Sequence, residues 1–277
     1  MDNRNGLNGI WVEEYVEALQ EHYPELLWTK AATNILDASP FSYGTESRYQ
    51  RPTEGGAGGV TGWISNRFSP MNAMTISRTY KGLLCHKSPI DLLLYSACLW
   101  ELKPKTVIEL GAFQGGSGLW FADQMEAMDL DGQVHSYELL FKAISPRAQH
   151  PKLHFHPCDL KNLESFDIDQ LKELPHPWFI IDDAHVNLLN TLSFFREFMV
   201  EGDYFVKEDT CSLGSLSENA EYLTLAESLG FFTDRIYTDA FGYNVTTAKN
   251  SWFTLLSDCN VHKHIHRSLR DITWEGA

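Results

Sequence analysis

The sequence predicts a doubly wound, mostly parallel α/β fold with a seven-stranded sheet. From residue 80 onward, apolar strands alternate with amphipathic helices, and a glycine-rich turn joins the first of these strands to a helix. The last two strands have no helix between them. Alternation of this kind produces a parallel sheet with helices on both faces, and the final pair predicts an antiparallel hairpin at its edge.

Residues 107–120 form the turn around which the other elements are arranged. Val107, Ile108 and Leu110 supply apolar side chains with β-propensity, and Pro104 blocks any helix that would run into them. Gly111, Gly115 and Gly116 permit positive φ and close approach of a ligand to the main chain. Apolar residues then recur at helical spacing, so the glycines are predicted to lie at a helix N-terminus, the nucleotide-binding corner of an α/β sheet.

The remaining elements follow from periodicity and from capping residues. Ser88 and Pro89 predict the start of a helix that ends near Pro104. Further helices are predicted at residues 139–148, 188–199 and 218–229. Strands are predicted at residues 133–138, 153–156, 178–181, 204–206, 231–237 and 252–256.

Residues 1–79 are expected to form an N-terminal helical cap or lid on a ligand-binding domain at residues 80–277. An amphipathic helix is predicted at residues 10–27, and its apolar face favours a homo-oligomer. The glycine run at residues 55–59 is either a mobile loop or a plain linker. His262, His264 and His266 alternate in a polar tail, which favours an exposed segment over a metal site.

Composition excludes several classes of partner. Hydrophobic residues make up 43% and charged residues 21% of the 277 residues, as in a soluble globular protein. The formal charge of −15 argues against binding to nucleic acid or to anionic membranes, and no apolar run is long enough to span a membrane. Five scattered cysteines without a close pair favour reduced thiols and, with no signal peptide in view, a cytoplasmic protein.

Acidic residues stand at the carboxyl end of every predicted parallel strand, where ligands bind in open α/β sheets. Glu138 is placed to accept hydrogen bonds from a ribose diol, and Asp159 from an adenine amino group. Each also has a purely structural interpretation, since Asp159 and Asp183 could cap the helices that follow them. The complete set of strand-end acids is Glu109, Glu138, Asp159, Asp182, Asp183, Glu208 and Asp209.

Three or four carboxylates at one edge of a sheet repel one another unless a cation lies among them. Oxygen ligands of this kind suit Mg²⁺, or another divalent cation such as Mn²⁺ or Ca²⁺. The sequence therefore predicts a divalent cation site formed by the ends of the last two parallel strands.

Residues 80–210 resemble the metal-dependent, S-adenosylmethionine-dependent O-methyltransferases of natural-product pathways, in the cephalosporin hydroxylase and rhamnosyl O-methyltransferase group. The resemblance rests on residues 87–91, on the glycine turn, on the Asp-Asp-Ala-His motif at residues 182–185, and on Glu-Asp-Thr at residues 208–210. It implies a class I methyltransferase fold, with its Rossmann-like sheet, and S-adenosylmethionine as the cofactor.

The resemblance also implies a role for each matching residue. Glu138 would hold the ribose of the cofactor, Asp159 would lie near its adenine, and His185 would act as the general base. Asp182 would lie against the cofactor and bind the metal together with Glu208 and Asp209, although Asp183 is an alternative ligand to Asp182. The methionine moiety would be held by Glu109, Gly111, Gly115, Gly116 and Ser117.

The expected reaction is methyl transfer to a hydroxyl group of a small molecule such as a sugar, a vicinal diol or a catechol. A divalent cation lowers the pKa of a bound hydroxyl, and a histidine can take its proton near neutral pH. An aromatic or sugar-bearing methyl acceptor is expected to contact four aromatic residues: Tyr49, Tyr237, Phe241 and Tyr243. The alternatives are an NAD-dependent dehydrogenase, which shares the glycine turn, and a cofactor-binding protein repurposed for another reaction.

Overall fold

A computed structural model describes residues 48–54, 79–210, 216–241 and 244–256. The predicted helix at residues 10–27, the glycine run at residues 55–59, Tyr243 and the three histidines of the carboxyl-terminal tail lie outside these residues. None of the described helices has the length and apolar character that a bilayer-spanning segment requires.

The main sheet confirms the predicted α/β fold. Its strands lie in the order β1-β9-β10-β8-β7-β4-β5-β6, and the strands from β8 to β6 are mutually parallel. A separate hairpin pairs β2 (Thr79–Tyr80) with β3 (Leu83–Leu84). The strands of the main sheet are β1 (Tyr49–Gln50), β4 (Thr106–Leu110), β5 (Gln133–Glu138), β6 (Leu153–Pro157), β7 (Trp178–Asp182), β8 (Tyr204–Lys207), β9 (Phe231–Asp234) and β10 (Trp252–Leu255).

Helices cover both faces of this sheet. Ser88 caps the first helix as predicted, because its hydroxyl accepts hydrogen bonds from the amides of Ile90 and Asp91. Short 3-10 turns occur at Pro52–Glu54, Phe141–Ala143 and Leu163–Ser165. The helices are α1 (Pro89–Leu102), α2 (Gly116–Ala127), α3 (Ile168–Glu173), α4 (Leu188–Arg196), α5 (Leu216–Ser228) and α6 (Arg235–Thr238).

Alternate residues of the central strands enter two separate apolar cores. On β4, Val107 packs with Phe121 of α2 on one face, whereas Ile108 packs with Phe195 of α4 on the other. All of these side chains are fully buried. Burial on both faces explains why β4 and β7 read as continuous apolar runs.

Strand register brings the acidic strand ends to one edge of the sheet. Leu110 pairs with Asp182, and Asp182 pairs with Lys207, so the residues that follow β4, β7 and β8 leave the sheet side by side. Glu138 pairs with Pro157 at the same level on the neighbouring strands. The predicted convergence of the acids at this edge follows from the register.

Three sequence-based expectations about the fold are wrong in detail. The main sheet has eight strands rather than seven, because β1 pairs with β9. Residues 139–148 are not a helix, since Pro146 disfavours helical backbone in the residue before it and only a short 3-10 turn forms. The strand predicted at residues 231–237 ends at Asp234, whose carboxylate caps α6 by accepting from Ile236 N.

The expected division at residues 79 and 80 stays a prediction, because most of residues 1–79 lie outside the described part. What is described of them joins the main sheet: Tyr49 pairs with Asp234, and the buried Arg48 guanidinium lies 2.7 Å from the Asp234 carboxylate. Tyr49 and Tyr237 are buried. Tyr237 packs against Tyr204 at the amino end of β8, the edge opposite the acidic strand ends, so the expected contact of these tyrosines with a methyl acceptor is not supported.

Candidate active site

The glycine turn after β4 is shaped by close packing of the backbone. Gly111 has φ of +96°, and a Cβ there would lie 3.1 Å from the Ala184 backbone, which leads away from β7. A Cβ on Gly116 would overlap the carbonyl of Leu84 in β3. Gly115 is the N-cap of α2 in the left-handed conformation. The glycines are thus needed for the close approach of three chain segments, a reason that the sequence did not reveal.

Glu109 lies beneath this turn and is fully buried. Its Oε2 accepts a hydrogen bond of 2.7 Å from Ser136, and its Oε1 has no partner among the described residues. Burial raises the pKa of this carboxyl, which Lys87 and Ser117 partly oppose. A buried acceptor without a donor is costly, so Oε1 is suited to a donor supplied by a ligand.

Glu138 joins two loops at the carboxyl end of β5. Its Oε2 accepts from Phe113 N at 2.7 Å, and its Oε1 accepts from Leu140 N at 2.8 Å. A carboxylate oxygen can accept a second hydrogen bond, so these contacts leave capacity for a ligand. Asp159 behaves as a local turn residue, because its Oδ1 accepts from Lys161 N.

Asp183, His185 and Asp209 form a cluster beyond β7 and β8. His185 Nε2 lies 3.2 Å from Asp183 Oδ1 and 3.5 Å from Asp209 Oδ2. One ligand atom from each residue lies within 4.8 Å of the others, as a bound ion requires. His185 and Asp209 have φ near +56° and +53°. Such strained backbone in non-glycine residues is concentrated at functional sites.

Lys207 determines which ring nitrogen of His185 carries the proton. Its Nζ, fully buried, lies 3.1 Å from the Asp182 carbonyl oxygen and 3.2 Å from His185 Nδ1. An ammonium group only donates, so Nδ1 must accept and a neutral imidazole carries its hydrogen on Nε2. Nε2–H then points to the carboxylates of Asp183 and Asp209.

Asp182 and Glu208 lie deeper than this cluster. Asp182 is fully buried, its Oδ1 accepts from Ala184 N at 3.2 Å, and its Oδ2 has no partner among the described residues. Glu208 Oε1 accepts from the Tyr95 hydroxyl at 2.5 Å and contacts Lys87 Nζ at 2.8 Å. Of the three residues expected to bind metal, only Asp209 therefore belongs to the cluster with His185.

The two carboxyls that contact Lys87 have opposite pKa shifts. Burial raises the pKa of Asp183, but the Lys87 ammonium 2.6 Å away and His185 together outweigh it and lower that pKa to about 2. Burial and the adjacent Asp183 charge raise the pKa of Glu208 to about 8 in spite of Lys87. Perturbed carboxyls of this kind are concentrated at functional sites.

Three residues of the site were not identified as such from the sequence: Lys87, Tyr95 and Lys207. Lys207 had a detectable signal, because it is a charged residue that ends the apolar strand β8 just before Glu208 and Asp209. Lys87 precedes the helix cap at Ser88, but nothing local indicates that it reaches Asp183 and Glu208. Tyr95 resembles any core aromatic of α1.

The strand order, the glycine turn after β4 and the acids beyond the neighbouring strand ends define a Rossmann-like α/β fold of the class I methyltransferase type. Known structures agree with this. A CmcI structure described as D160 with Mg-SAM is 29% identical, with a TM-score of 0.57, and the match covers 65% of this chain and 76% of that one. A CmcI-N160 structure with SAH is 27% identical, with a TM-score of 0.55, and the match covers 65% of this chain and 82% of that one.

The sequence model of the Rhamnosyl O-methyltransferase/CmcI family matches residues 72–221, just over half of the chain. The chain belongs to this family, which confirms the resemblance found in the sequence. Rhamnosyl O-methyltransferase of Mycobacterium tuberculosis is 30% identical over 147 residues, 50% of this chain and 59% of that protein. The Mycobacterium leprae protein of that name is 31% identical over 167 residues, 58% and 70% of the respective chains. The chain thus spans little more than half the length of the Mycobacterium tuberculosis protein.

Proposed function

We propose that this protein transfers the methyl group of S-adenosylmethionine to a hydroxyl group of a small molecule, with a divalent cation bound in the acid cluster. One observation carries the proposal: Asp183, His185 and Asp209 lie together beside the glycine turn, at the carboxyl edge of the sheet. Family membership supports the same reaction, since the mycobacterial relatives are rhamnosyl O-methyltransferases.

On the cofactor side, Glu109, Glu138 and the amino end of α2 would hold S-adenosylmethionine. Glu109 Oε1, which has no partner among the described residues, suits an ammonium donor such as the one on the methionine moiety. Glu138 keeps both carboxylate oxygens at the loop surface, where a ribose diol could donate to them. Gly111, Gly115, Gly116 and Ser117 shape the turn between these two acids, and Asp159 would lie at the adenine end.

On the methyl-acceptor side, the residues present fit a hard divalent cation such as Mg²⁺. Two carboxylates, Asp183 and Asp209, converge with one imidazole, and such ions prefer oxygen ligands. We favour Asp183 over Asp182 as the ligand, because Asp182 is directed toward Ala184 N. Asp182 Oδ2 and Glu208 are the second choice, since that Oδ2 is buried and meets no donor in the part of the chain that the structure describes. A bound cation would lower the pKa of a coordinated hydroxyl.

His185 would accept the proton of the methyl-acceptor hydroxyl. Its side chain is 45% exposed, so the ring can reach a bound molecule. For Nε2 to accept that proton, His185 must carry its own hydrogen on Nδ1, which requires the Lys207 ammonium to leave Nδ1 and keep its contact with the Asp182 carbonyl oxygen. We therefore assign the base role to His185 in that tautomer, with the adjacent Asp183 and Asp209 carboxylates stabilising the imidazolium that forms.

The net result is a hydroxyl oxygen that takes a methyl group and loses a proton to the protein. Methyl transfer spreads existing charge rather than creating it, so most of the acceleration is expected to come from positioning the two reactants. A vicinal diol, as in a sugar or a catechol, would present one oxygen to the cation and the neighbouring one to His185. A small hydroxylated molecule is therefore the proposed partner.

Calorimetry and a methyl-transfer assay test this proposal. S-adenosylmethionine should bind and NAD should not, since a dehydrogenase shares only the glycine turn. A panel of sugars, diols and catechols incubated with methyl-labelled cofactor should give a labelled product that disappears with chelator and returns with Mg²⁺. Binding of NAD alone would overturn the proposal. Cofactor binding without any transfer across the panel would favour a repurposed reaction.

A further inference from the structure

Lys87 is a buried cation between Asp183, which belongs to the acid cluster, and the neighbouring Glu208. Its side chain is 1% exposed, and its Nζ lies 2.6 Å from Asp183 Oδ2 and 2.8 Å from Glu208 Oε1. Asp183 follows β7 and Glu208 follows β8, so the ammonium group bridges two strand ends. A charge is buried at tolerable cost only when it is paired, and here one ammonium pairs with two carboxylates.

The backbone around Lys87 is anchored. The next residue, Ser88, caps α1, and its hydroxyl accepts from the amides of Ile90 and Asp91. The Asp91 carboxylate, also buried, accepts from the Thr246 hydroxyl at 2.5 Å and from Thr247 N. Lys87 is thus held at its position by the start of a helix that is itself fixed to a distant loop.

The two buried lysines of the site have separate partners. Lys207 contacts the Asp182 carbonyl oxygen and His185, whereas Lys87 contacts Asp183 and Glu208. Lys87 occupies Asp183 Oδ2, and His185 faces Asp183 Oδ1. Both oxygens of this carboxylate are therefore already engaged by nitrogen groups.

We infer that Lys87 is a resident cation that competes with a divalent ion for Asp183 and Glu208, and so sets how tightly the acid cluster binds that ion. A positive charge this close to a ligand oxygen opposes a second cation on the same carboxylate. Without a divalent ion, Lys87 would hold Asp183 and Glu208 together. When the ion binds, Lys87 would lower its affinity, so that the ion is not held tightly. The inference rests on the cation site of the proposed function, but not on methyl transfer.

Titration calorimetry with MnCl₂ alone, at fixed pH and ionic strength, tests this. Lys87→Met should bind Mn²⁺ at least about tenfold more tightly than the wild type, because removal of the ammonium leaves the Asp183 carboxylate without its nearest positive charge and frees Glu208 Oε1 from the same group. Lys87→Arg keeps the charge and should bind like the wild type. Lys105→Met is the matched control, since Lys105 forms only an exposed ion pair with Asp131. Unchanged or weaker binding by Lys87→Met would overturn the inference.

Further variants locate the effect and cover a failure to fold. Adding Asp183→Asn to Lys87→Met should abolish the gain; a gain that persists would assign it to another group, such as Asp123, Glu126 and His150, and overturn the inference. If Lys87→Met unfolds, circular dichroism should show refolding with MnCl₂, and no recovery would assign Lys87 to the fold alone. Chelator-sensitive methyl transfer with unchanged Mn²⁺ affinity in Lys87→Met would defeat this inference but leave the proposed function intact.

Discussion

The two halves of the site are built by different physical means. The cofactor half, comprising Glu109, the glycine turn and Glu138, is shaped by backbone packing and by amides that hydrogen-bond to carboxylates. The acceptor half, comprising the Asp183, His185 and Asp209 cluster with Glu208, is held by two buried lysines and strained backbone. The cofactor half therefore depends on how closely its backbone segments pack, whereas the acceptor half depends on buried lysines that neutralise its acids.

The largest expected effect is in the acceptor half. His185→Ala should lower turnover by about 10²–10⁴-fold, the usual contribution of a general base, while the affinity for S-adenosylmethionine stays unchanged. Single-turnover kinetics and calorimetry measure the two quantities separately. A fall of cofactor affinity in parallel with turnover would show that the cofactor half and the acceptor half are not independent.

A substitution that adds a side chain at a closely packed glycine of the cofactor half should lower the stability of the fold. Gly116→Ala places a Cβ against the Leu84 carbonyl, a backbone atom that cannot rotate away, and should cost about 1–3 kcal/mol of unfolding free energy as well as cofactor affinity. Gly202→Ala is a control for cofactor affinity, because a Cβ there meets nothing within 4 Å and the residue lies at the opposite edge of the sheet; its φ of +91° strains alanine, so it lowers stability without touching the site. Urea denaturation and calorimetry provide the measurements. Retention of full affinity in Gly116→Ala would contradict the packing argument.

Removing a charge from the cofactor half should have a smaller effect than the glycine substitution, and the effect should be confined to cofactor affinity. Glu138→Gln turns one acceptor oxygen into an amide that cannot accept from Phe113 N or Leu140 N, so cofactor affinity should fall by about ten- to a hundredfold. Turnover at saturating cofactor should change little. Asp159→Asn should have a weaker effect on affinity, since Asp159 accepts locally from Lys161 N. A larger loss in Asp159→Asn would reverse the assigned roles.

The smallest effect concerns acid stability beneath the cofactor half. His135 on β5 lies 3.0 Å from His156 on β6, and burial together with this neighbour and His154 lowers the pKa of His135 to about 4. The folded state therefore binds fewer protons than the unfolded chain, so stability should fall as the pH drops from about 6.5 toward 4. His135→Phe should reduce the loss of Tm between pH 7 and pH 5 in differential scanning fluorimetry. An identical loss in wild type and variant would exclude His135 as the cause.

Local patterns predicted most of the fold because the central strands are buried on both faces and the helices carry clear caps. Failures had one distant and one local cause. Pairing with residues 231–234 made a strand of Tyr49–Gln50. The helix expected at residues 139–148 is prevented locally by Pro146, and Leu140 N donates to the Glu138 carboxylate instead. Asp234 ended its strand early because its carboxylate caps α6 and pairs with Arg48.

The sequence by itself determined which acids follow which strands, and strand register then fixed that they meet at one edge. It also marked the glycine turn, His185 and the family. Only the tertiary structure decided that Asp183 rather than Asp182 joins His185 and Asp209, and that Lys87 and Lys207 lie among the acids. The reason is physical: a side chain's direction beyond a strand end, and the partner that neutralises it, depend on other segments of the chain, 22 residues away for Lys207 and His185 and 96 for Lys87 and Asp183.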